Sequence, residues 1–527
     1  MKARRIITSS IHDYSEDMQH EPETRYSNPE FIRIANSQRI DLSSIPVLSY
    51  PDFLKQNSTL PANDRFHCAS YFAHPEEDRL RLICCIADDE QADILVSSAY
   101  VEKNGEPLPS FTAVHESFHL FEREIHENFG VAYTDHPWLK PVRYAHNRAN
   151  PNDLMDRYPF FNVKGEELHE VGVGPIHAGI IEPGCFRFAC NGEKVLHLEI
   201  QLGYQHRGVE QLMVDRKYLN QRIQLSESIA GDSAVAHASA FALVWEGLCG
   251  YQTLYPLLWV QALALEIERI AMHTADLSAL CGDVAYQLGN AVYGRLRTPI
   301  INFFQAWCGN RLARTLIRPA SLFHPFTETL AMQLTRTLID YERDFRQISK
   351  LLFNMPGILS RFEKTGAITT DQARRIGTVG MAARTCGIRR DIRNSHPNEV
   401  YRTLEHKPLL YASGDVMARA KIRYDETLQS IGHIRNLLHV MPHPEEIEHS
   451  LKPASPDSLI LTMIEGWRGQ VCHCAITGPN GDIIRYKITD PSFHNWTALA
   501  LAVRNNEISD FPICNKSFNL SYCGFDL

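Results

Sequence analysis

Long apolar runs are missing from this sequence: no window holds 18 uninterrupted apolar residues. The nearest approach, residues 238–270, is broken by Glu246, Gln252 and Pro256 and is expected to form buried bundle helices rather than a membrane span. Positive charge is not in excess either. Lys and Arg number 53 against 62 Asp and Glu, a net charge of −9, which gives nucleic acid no electrostatic footprint to bind. The basic start MKARR is followed by no apolar stretch, so no secretory signal is expected. The thirteen cysteines are odd in number and lack framework spacing, which predicts reduced thiols in a cytosolic setting. No strand–GxGxxG–helix fingerprint appears, so nothing in the chain predicts binding of NAD by itself. Internal repeats and low-complexity tracts are also absent.

What is present points to an α+β chain of more than one domain, because 527 residues exceed what one compact core accommodates. Residues 1–45 are polar and read as an extended N-terminal arm. RFHCASYFAH, RLRLICCIAD and ADILVSSAYV, separated by charged turns, predict an antiparallel meander. A helical pattern follows at 109–130, where Arg123 and Glu127 can pair on one face and Gly130 suits a C-terminal cap. The α+β unit therefore covers 46–135, and a loop rich in Pro, Asn and Asp makes 136–165 a linker. In 166–527 a strand pair turning at Asn191-Gly192 leads into helices from Gly208 to about Phe353. Another helix spans 415–439, and LILTMIEGW, VCHCAIT and IIRYKIT close the chain as three strands.

His115-Glu116-Ser117-Phe118-His119 is an HExxH pattern. On a helix its two imidazoles would share a face and could bind zinc, with Glu116 as general base of a hydrolase. The extension that would supply a third ligand is missing, since Glu122 and Ile125 stand where Gly and His are needed.

Four further stretches carry a family likeness: GPIHAGIIEPGCFRF (174–188), GYQHRGVEQL (203–212), SESIAGDSAVAH (226–237) and LEIERIAMHTADLSALCG (265–282). In this order they resemble the large subunits of energy-converting [NiFe]-hydrogenases and the homologous quinone-site subunit of respiratory complex I. LFEREIHENFGV (120–131) resembles the ERExxDxxGI signature of the small peripheral-arm subunit of complex I, with His126 at the acidic position. A fusion of the two is the arrangement of energy-converting hydrogenase large subunits, and the likeness covers roughly 45–527.

The resemblance implies an N-terminal small-subunit-like α+β domain and a mainly helical large-subunit-like domain with small antiparallel sheets. It implies a chain that is cytoplasmic, peripheral on the inner face of a membrane, beside an iron–sulfur small subunit and membrane-embedded complex I-like subunits. His177 matches the cavity histidine of GPxH, and Ile181 and Glu182 stand where complex I has a second one. His206, Arg207 and Glu210 match HRGxE, which places Arg207 toward an iron–sulfur cluster held by a partner subunit; the alternative is that Arg207 and Glu210 simply pair on a helix. The hydrogenase stretch reads roughly ERICGICGFAH, and its two nickel–iron thiolates become Ala230 and Ser233 here. The second pair, normally within DPCxxC, is expected near DFPICNKS (510–517), leaving Cys514 and Ser517. One thiol and two hydroxyls do not make a nickel site. The quinone-binding tyrosine of complex I falls near Gly231 and is missing as well.

Asp232, Ser233 and His237, with His177 opposite, remain as candidates to relay protons or to hold a polar headgroup; hydrogen-bonded filler is the alternative. In the arginine-rich segment 374–397, which resembles the loop bordering the family's cavity, Arg384 and Asp391 are the candidate site residues. Arg374, Arg375 and Arg390 are expected on a solvated or subunit-contacting face. The resulting expectation is an oxidoreductase subunit that takes electrons from iron–sulfur partners toward a quinone-like acceptor or ion translocation. A catalytically silent scaffold is the second reading, and the zinc hydrolase the third.

Overall fold

The computed structural model describes residues 30–527 except 104, 164, 166 and 180. The predicted meander is there: β4 (Phe66–Glu76), β5 (Arg79–Asp88) and β6 (Asp93–Glu102) form consecutive antiparallel pairs. Two strands fall within the expected arm, of which 1–29 lie outside the described residues. These are β1 (Ile32–Ala35), antiparallel to β6, and β2 (Arg39–Asp41), which leaves that sheet for another; β3 (Val47–Leu48) follows and runs parallel to β6. Their alternation of apolar and polar residues, too short to stand out in sequence, suits half-buried strands.

The helical segment that follows is broken. His115 has extended backbone (φ −144°, ψ 120°) between a short turn of helix and α1 (His119–Phe129), which Gly130 caps in the left-handed conformation. The expected Arg123–Glu127 pair does not form, because the linker has stronger claims on both side chains. Arg123 donates to the carbonyls of Lys140 and Pro141, and Glu127 accepts the backbone N–H groups of Val142, Arg143 and Tyr144. These bonds satisfy main-chain groups that a buried linker would otherwise leave unpaired.

Three strands precede the helices: β7 (Leu168–Val173), β8 (Cys185–Asn191) and β9 (Lys194–Gln201), with β8 central. The helical body comprises α2 (Ala234–Leu248), α3 (Tyr255–Asp283), α4 (Gln287–Cys308), α5 (Glu328–Leu352) and α6 (Val416–His439). Helix α3 is apolar nearly all round and is buried along most of its length, as expected of a central bundle helix. Among the described residues no helix is long and apolar enough to cross a membrane.

The chain closes with β10 (Ser458–Glu465), β11 (Gln470–Thr477), β12 (Ile483–Thr489) and α7 (Pro491–Ala502). Strand β2 adds to the edge of β10, so the second strand shares one sheet with the last three. One side of this sheet packs on α2. The other meets β4–β6 in a core that includes Cys85, Cys472 and Cys474. All thirteen cysteines are unpaired.

Candidate functional site

The stretch 226–237 opens as irregular chain and a short turn before α2 begins, and Asp232 there keeps a partly exposed side chain where this turn meets the C-terminal segment, a surface termed the cleft. Arg468, in the tight turn between β10 and β11, reaches across to it. Its two terminal nitrogens contact Asp232 Oδ1 and Oδ2 at 2.7 and 2.6 Å, one of them also reaches Ser233 Oγ at 3.4 Å, and Nε donates to the carbonyl of Asn519 at 2.5 Å. Trp467 Nε1 donates to the Asp232 carbonyl at 2.8 Å. A guanidinium thus stands against the Ser233 position where the resemblance put a thiolate, bound bidentately by a carboxylate.

The C-terminal half of the site is not at 510–517, where the sequence motif is expected. Cys514 and Ser517 lie against Arg419, whose Nε donates to Ser517 Oγ at 2.8 Å. The residues that meet 228–233 are 519–524. Arg207 donates to the carbonyls of Ser228, Ile229 and Cys523 at 2.6, 2.9 and 3.0 Å, and Asn519 shares Arg468 with Asp232. Cys523 therefore lies beside 228–232, whereas Ser521 and Gly524 meet Ser492 and Asp490. Burial, with the Glu182 carboxylate beside it, pushes the Cys523 thiol up to about 12, so it stays protonated at neutral pH. The misplacement arises because Cys514 is the cysteine that falls within the DPCxxC-like stretch.

His237 is fully buried behind this cleft. Its Nε2 lies 3.1 Å from Asp490 Oδ2 and its Nδ1 3.0 Å from His473 Nε2, while His473 Nδ1 lies 2.9 Å from the Tyr486 hydroxyl. Burial would raise Asp490, but the bond and charge of His237 hold it below the usual carboxylate range. Burial, with His237 adjacent, drives His473 well below the usual imidazole value. One placement of the hydrogens satisfies all three contacts: Tyr486 donates to His473, His473 to His237, and His237 to Asp490. Asp490 abuts Gly524, so the relay begins at the cleft wall. His177 stands apart from this set, with its Nε2 on the carbonyl of Gly184 at 2.9 Å.

Arg384 and Asp391 belong to a buried ionic cluster between α3, α6 and the β10–β11 turn. Arg384 contacts Glu465 at 2.7 Å, Glu426 at 2.5 Å and Asp391 at 3.4 Å. Arg393 binds Asp391 and Glu266, and His406 and His273 cap Asp391 and Glu426. Arg269 donates to the carbonyls of Glu465 and Gly466. The turn 465–469 therefore joins the cluster, through Glu465, to the cleft, through Arg468. Sequence reading missed Arg468, Glu465, Glu426, Glu266 and Asp490. Their sign would have been charges inside otherwise apolar helix and strand patterns, as in EGWRG and LEIER. Arg390 was expected at the surface and is instead buried, donating to the carbonyl of Thr378. Arg374 and Arg375 are less buried and pair with Asp64 and Glu116.

Arg207 is exposed, whereas Glu210 pairs with Lys487 at 3.0 Å and accepts the Ile488 N–H; the two do not pair with each other. His206 Nδ1 lies 2.7 Å from the carbonyl of Asp526. The HExxH residues are dispersed. His115 Nδ1 is 2.8 Å from Ser117 Oγ, Glu116 pairs with Arg375, and His119 Nε2 is 3.0 Å from Thr497 Oγ1. With the helix broken at His115 the two imidazoles do not share a face, and the zinc reading fails on that geometry.

Glu268, on α3, accepts the Val235 N–H at 2.9 Å and is pushed up to about 8 by burial, with the Asp232 charge adding to it. A carboxyl raised in the folded state keeps its proton there while the unfolded chain releases one. Its stabilising contribution is therefore full below about pH 4.5 and is lost as pH rises toward 8. Glu268→Gln is expected to flatten the fall of stability between those limits by up to about 1.4 kcal/mol per pH unit. Urea melts at pH 5 and pH 8 measure it, and parallel slopes in variant and wild type would refute the assignment.

This arrangement defines a fold class: a sheet-rich N-terminal unit joined to a helical body with small antiparallel sheets. The family described as Respiratory-chain NADH dehydrogenase, 30 Kd subunit, matches residues 47–153, and Respiratory-chain NADH dehydrogenase, 49 Kd subunit, matches 287–458. The chain is a homologue of the energy-converting hydrogenase large subunits and of the complex I subunits in which these two regions are fused. It is 24% identical to Hydrogenase-4 component G of Escherichia coli (strain K12) over 81% of this chain and 77% of that protein. To an NADH-quinone oxidoreductase subunit of Phocaeicola vulgatus it is 23% identical, over 75% of this chain and 82% of that one. A chain in the structure of the membrane-bound sulfane sulfur reductase, an archaeal respiratory membrane complex, shares the fold with a TM-score of 0.63 at 19% identity. That match covers 69% of this chain and 99% of that one. A nickel–iron centre does not fit these residues, since Ala230, Ser233, Ser521 and Gly524 bring no thiolate, Cys523 is a single thiol, and Arg468 stands against Ser233.

Proposed function

We propose that this chain is the cleft-bearing subunit of a membrane-associated electron-transfer complex, with an acid–base site in the place of a thiolate-held metal. The observation that carries this reading is the Asp232–Arg468 pair, which spans the cleft and ties it through the 465–469 turn to the buried ionic cluster. Electrons arrive from an iron–sulfur cluster on a small partner subunit seated near Arg207. The Arg207 guanidinium is exposed and held by three carbonyls rather than by a carboxylate, so its charge is free to act on a neighbouring cluster. Membrane-embedded partner subunits complete the assembly, and the chain lies peripherally on the cytoplasmic face of the membrane. A quinone-like acceptor would take the electrons. Asp232 and Glu182, with the relay Asp490–His237–His473–Tyr486 behind them, would supply and collect the accompanying protons.

The test is elemental analysis of the native assembly, followed by solvent extraction of quinone. Iron with quinone and without nickel is expected. Stoichiometric nickel would overturn the reading. The second reading, a silent scaffold that docks the iron–sulfur subunit, separates on Asp232→Asn. Loss of turnover by at least about tenfold, with the assembly intact on native gels, supports the acid–base site (about 1.4 kcal/mol of barrier). Unchanged turnover favours the scaffold.

A further inference from the structure

A cavity of about 770 Å³ is lined by Phe525 but by none of residues 228–233 or 519–524, so it is separate from the Asp232 site. Its walls come from α1, the 137–161 loop, β9 and α7, and Phe525 and Trp496 lie at its floor. Trp496 packs edge-on against Tyr522 with ring centroids 4.8 Å apart, so this floor backs directly onto 521–524.

The lining is two-sided chemically. Trp138, Tyr158, Phe161, Trp496 and Phe525 give an aromatic body, whereas four cations, Arg123, Lys140, Arg375 and Arg504, face two carboxylates, Glu116 and Glu199. Those carboxylates are taken by Arg375 and Lys140. Arg123 bonds only carbonyl oxygens in its linker contacts, and Arg504 contacts His197 Nδ1 at 3.1 Å; neither has a carboxylate within salt-bridge distance among the described residues. In a chain of net charge −9 this is a local surplus of positive charge. Two buried polar atoms on the wall also lack partners: His119 Nδ1, on a residue 3% exposed, and Trp496 Nε1, on a residue 4% exposed. Burial drives His119 well below the usual imidazole value, so its ring is neutral. Both atoms are shut off from the open space of the cavity, so what it offers a ligand is its aromatic walls and the guanidiniums of Arg123 and Arg504.

We infer that this cavity binds a small amphipathic anion: an apolar chain or flat ring seated among the aromatics, with one carboxylate or phosphate held by Arg504 and Arg123. Occupancy braces the floor formed by Trp496 and Phe525, and so the segment that carries Ser521 and Cys523. The site is independent of the redox assignment and stands or falls on binding alone.

The experiment is isothermal titration calorimetry of the full chain with sodium dodecanoate, and with dodecanol as the uncharged control. Saturable one-to-one binding of dodecanoate is expected, at least tenfold tighter than dodecanol and weakened by added salt. Arg504→Gln, at the rim and tolerable to the fold, is expected to weaken it about tenfold, and Trp138→Ala to weaken both probes. Arg343→Gln, on exposed α5, should change nothing. Equal affinity for the two probes, binding unaffected by Arg504→Gln, or no saturable binding would each overturn the inference. In the last case an acidic peptide from a partner subunit becomes the alternative occupant.

Discussion

Arg384→Met is expected to lower the unfolding free energy by about 3–5 kcal/mol, the cost of leaving buried charge without its partner. Arg384 has no exposed surface and is in contact with Glu426, Glu465 and Asp391. Burial alone would lower its pKa, but the three carboxylates hold it above the usual guanidinium value. Four acids, Glu266, Asp391, Glu426 and Glu465, share three guanidiniums, those of Arg269, Arg384 and Arg393. That imbalance explains why Glu465 is pushed up to about 7, by burial first and the Asp391 charge second. It also defines the control. Glu465→Gln removes one of the acids, so the double variant Arg384→Met/Glu465→Gln should recover part of the loss. Urea denaturation followed by circular dichroism measures all three variants. Strictly additive losses would show that something other than charge balance fixes Arg384.

The elements that positioned this cluster were legible in the sequence to very different degrees. Strands β4–β6 and β10–β12 stood out because runs such as RLRLICCIAD and VCHCAIT are rich in apolar and β-type residues and end at turn residues. The helix at 416–439 was equally plain, with Asp415 capping it through the Ala418 N–H at 2.8 Å. Ala230 and Ser233 could be placed because the motif around them is contiguous. Residues 519–524 could not, because their meaning lies in what they face: the contacts of Arg207 and Arg468 that bring them to 228–233 span more than 50 residues of chain, and in one case more than 300. The same holds for Asp490 and His473, which are 253 and 236 residues from the His237 they bind. The HExxH pattern failed in the opposite direction. A local pattern suggested one continuous helix, but His115 is extended and caps the next turn through Ser117, while Glu116 reaches away to Arg375.

Gly380→Ala tests whether the cleft and the ionic cluster are one mechanical unit, and a loss of about 2–5 kcal/mol is expected, the sum of backbone strain and overpacking. Gly380 opens the short helix Gly380–Arg384 with φ +63°, a left-handed conformation that costs a side-chain-bearing residue about 1–2 kcal/mol. A Cβ there would fall 2.2 Å from Gly469 Cα and 2.3 Å from the carbonyl of Arg468, both backbone atoms, which adds about 1–3 kcal/mol of overpacking. Gly469, at φ +142°, is itself in a conformation reserved for glycine, and its N–H and carbonyl both bond to Gly466. The two chain segments thus touch backbone to backbone at a pair of glycines. One segment ends in Arg384, and the other carries Glu465 and Arg468. Forcing them apart lengthens the Arg384–Glu465 and Asp232–Arg468 contacts together, so turnover of the assembled complex should fall along with stability. Gly432→Ala is the matched control. It lies inside α6 with nothing within 4 Å of the added methyl, and it should be neutral or stabilising by about 0.5–1 kcal/mol. If Gly380→Ala behaves like that control, the crossing of the two turns is not what holds Arg384 and Arg468 in register.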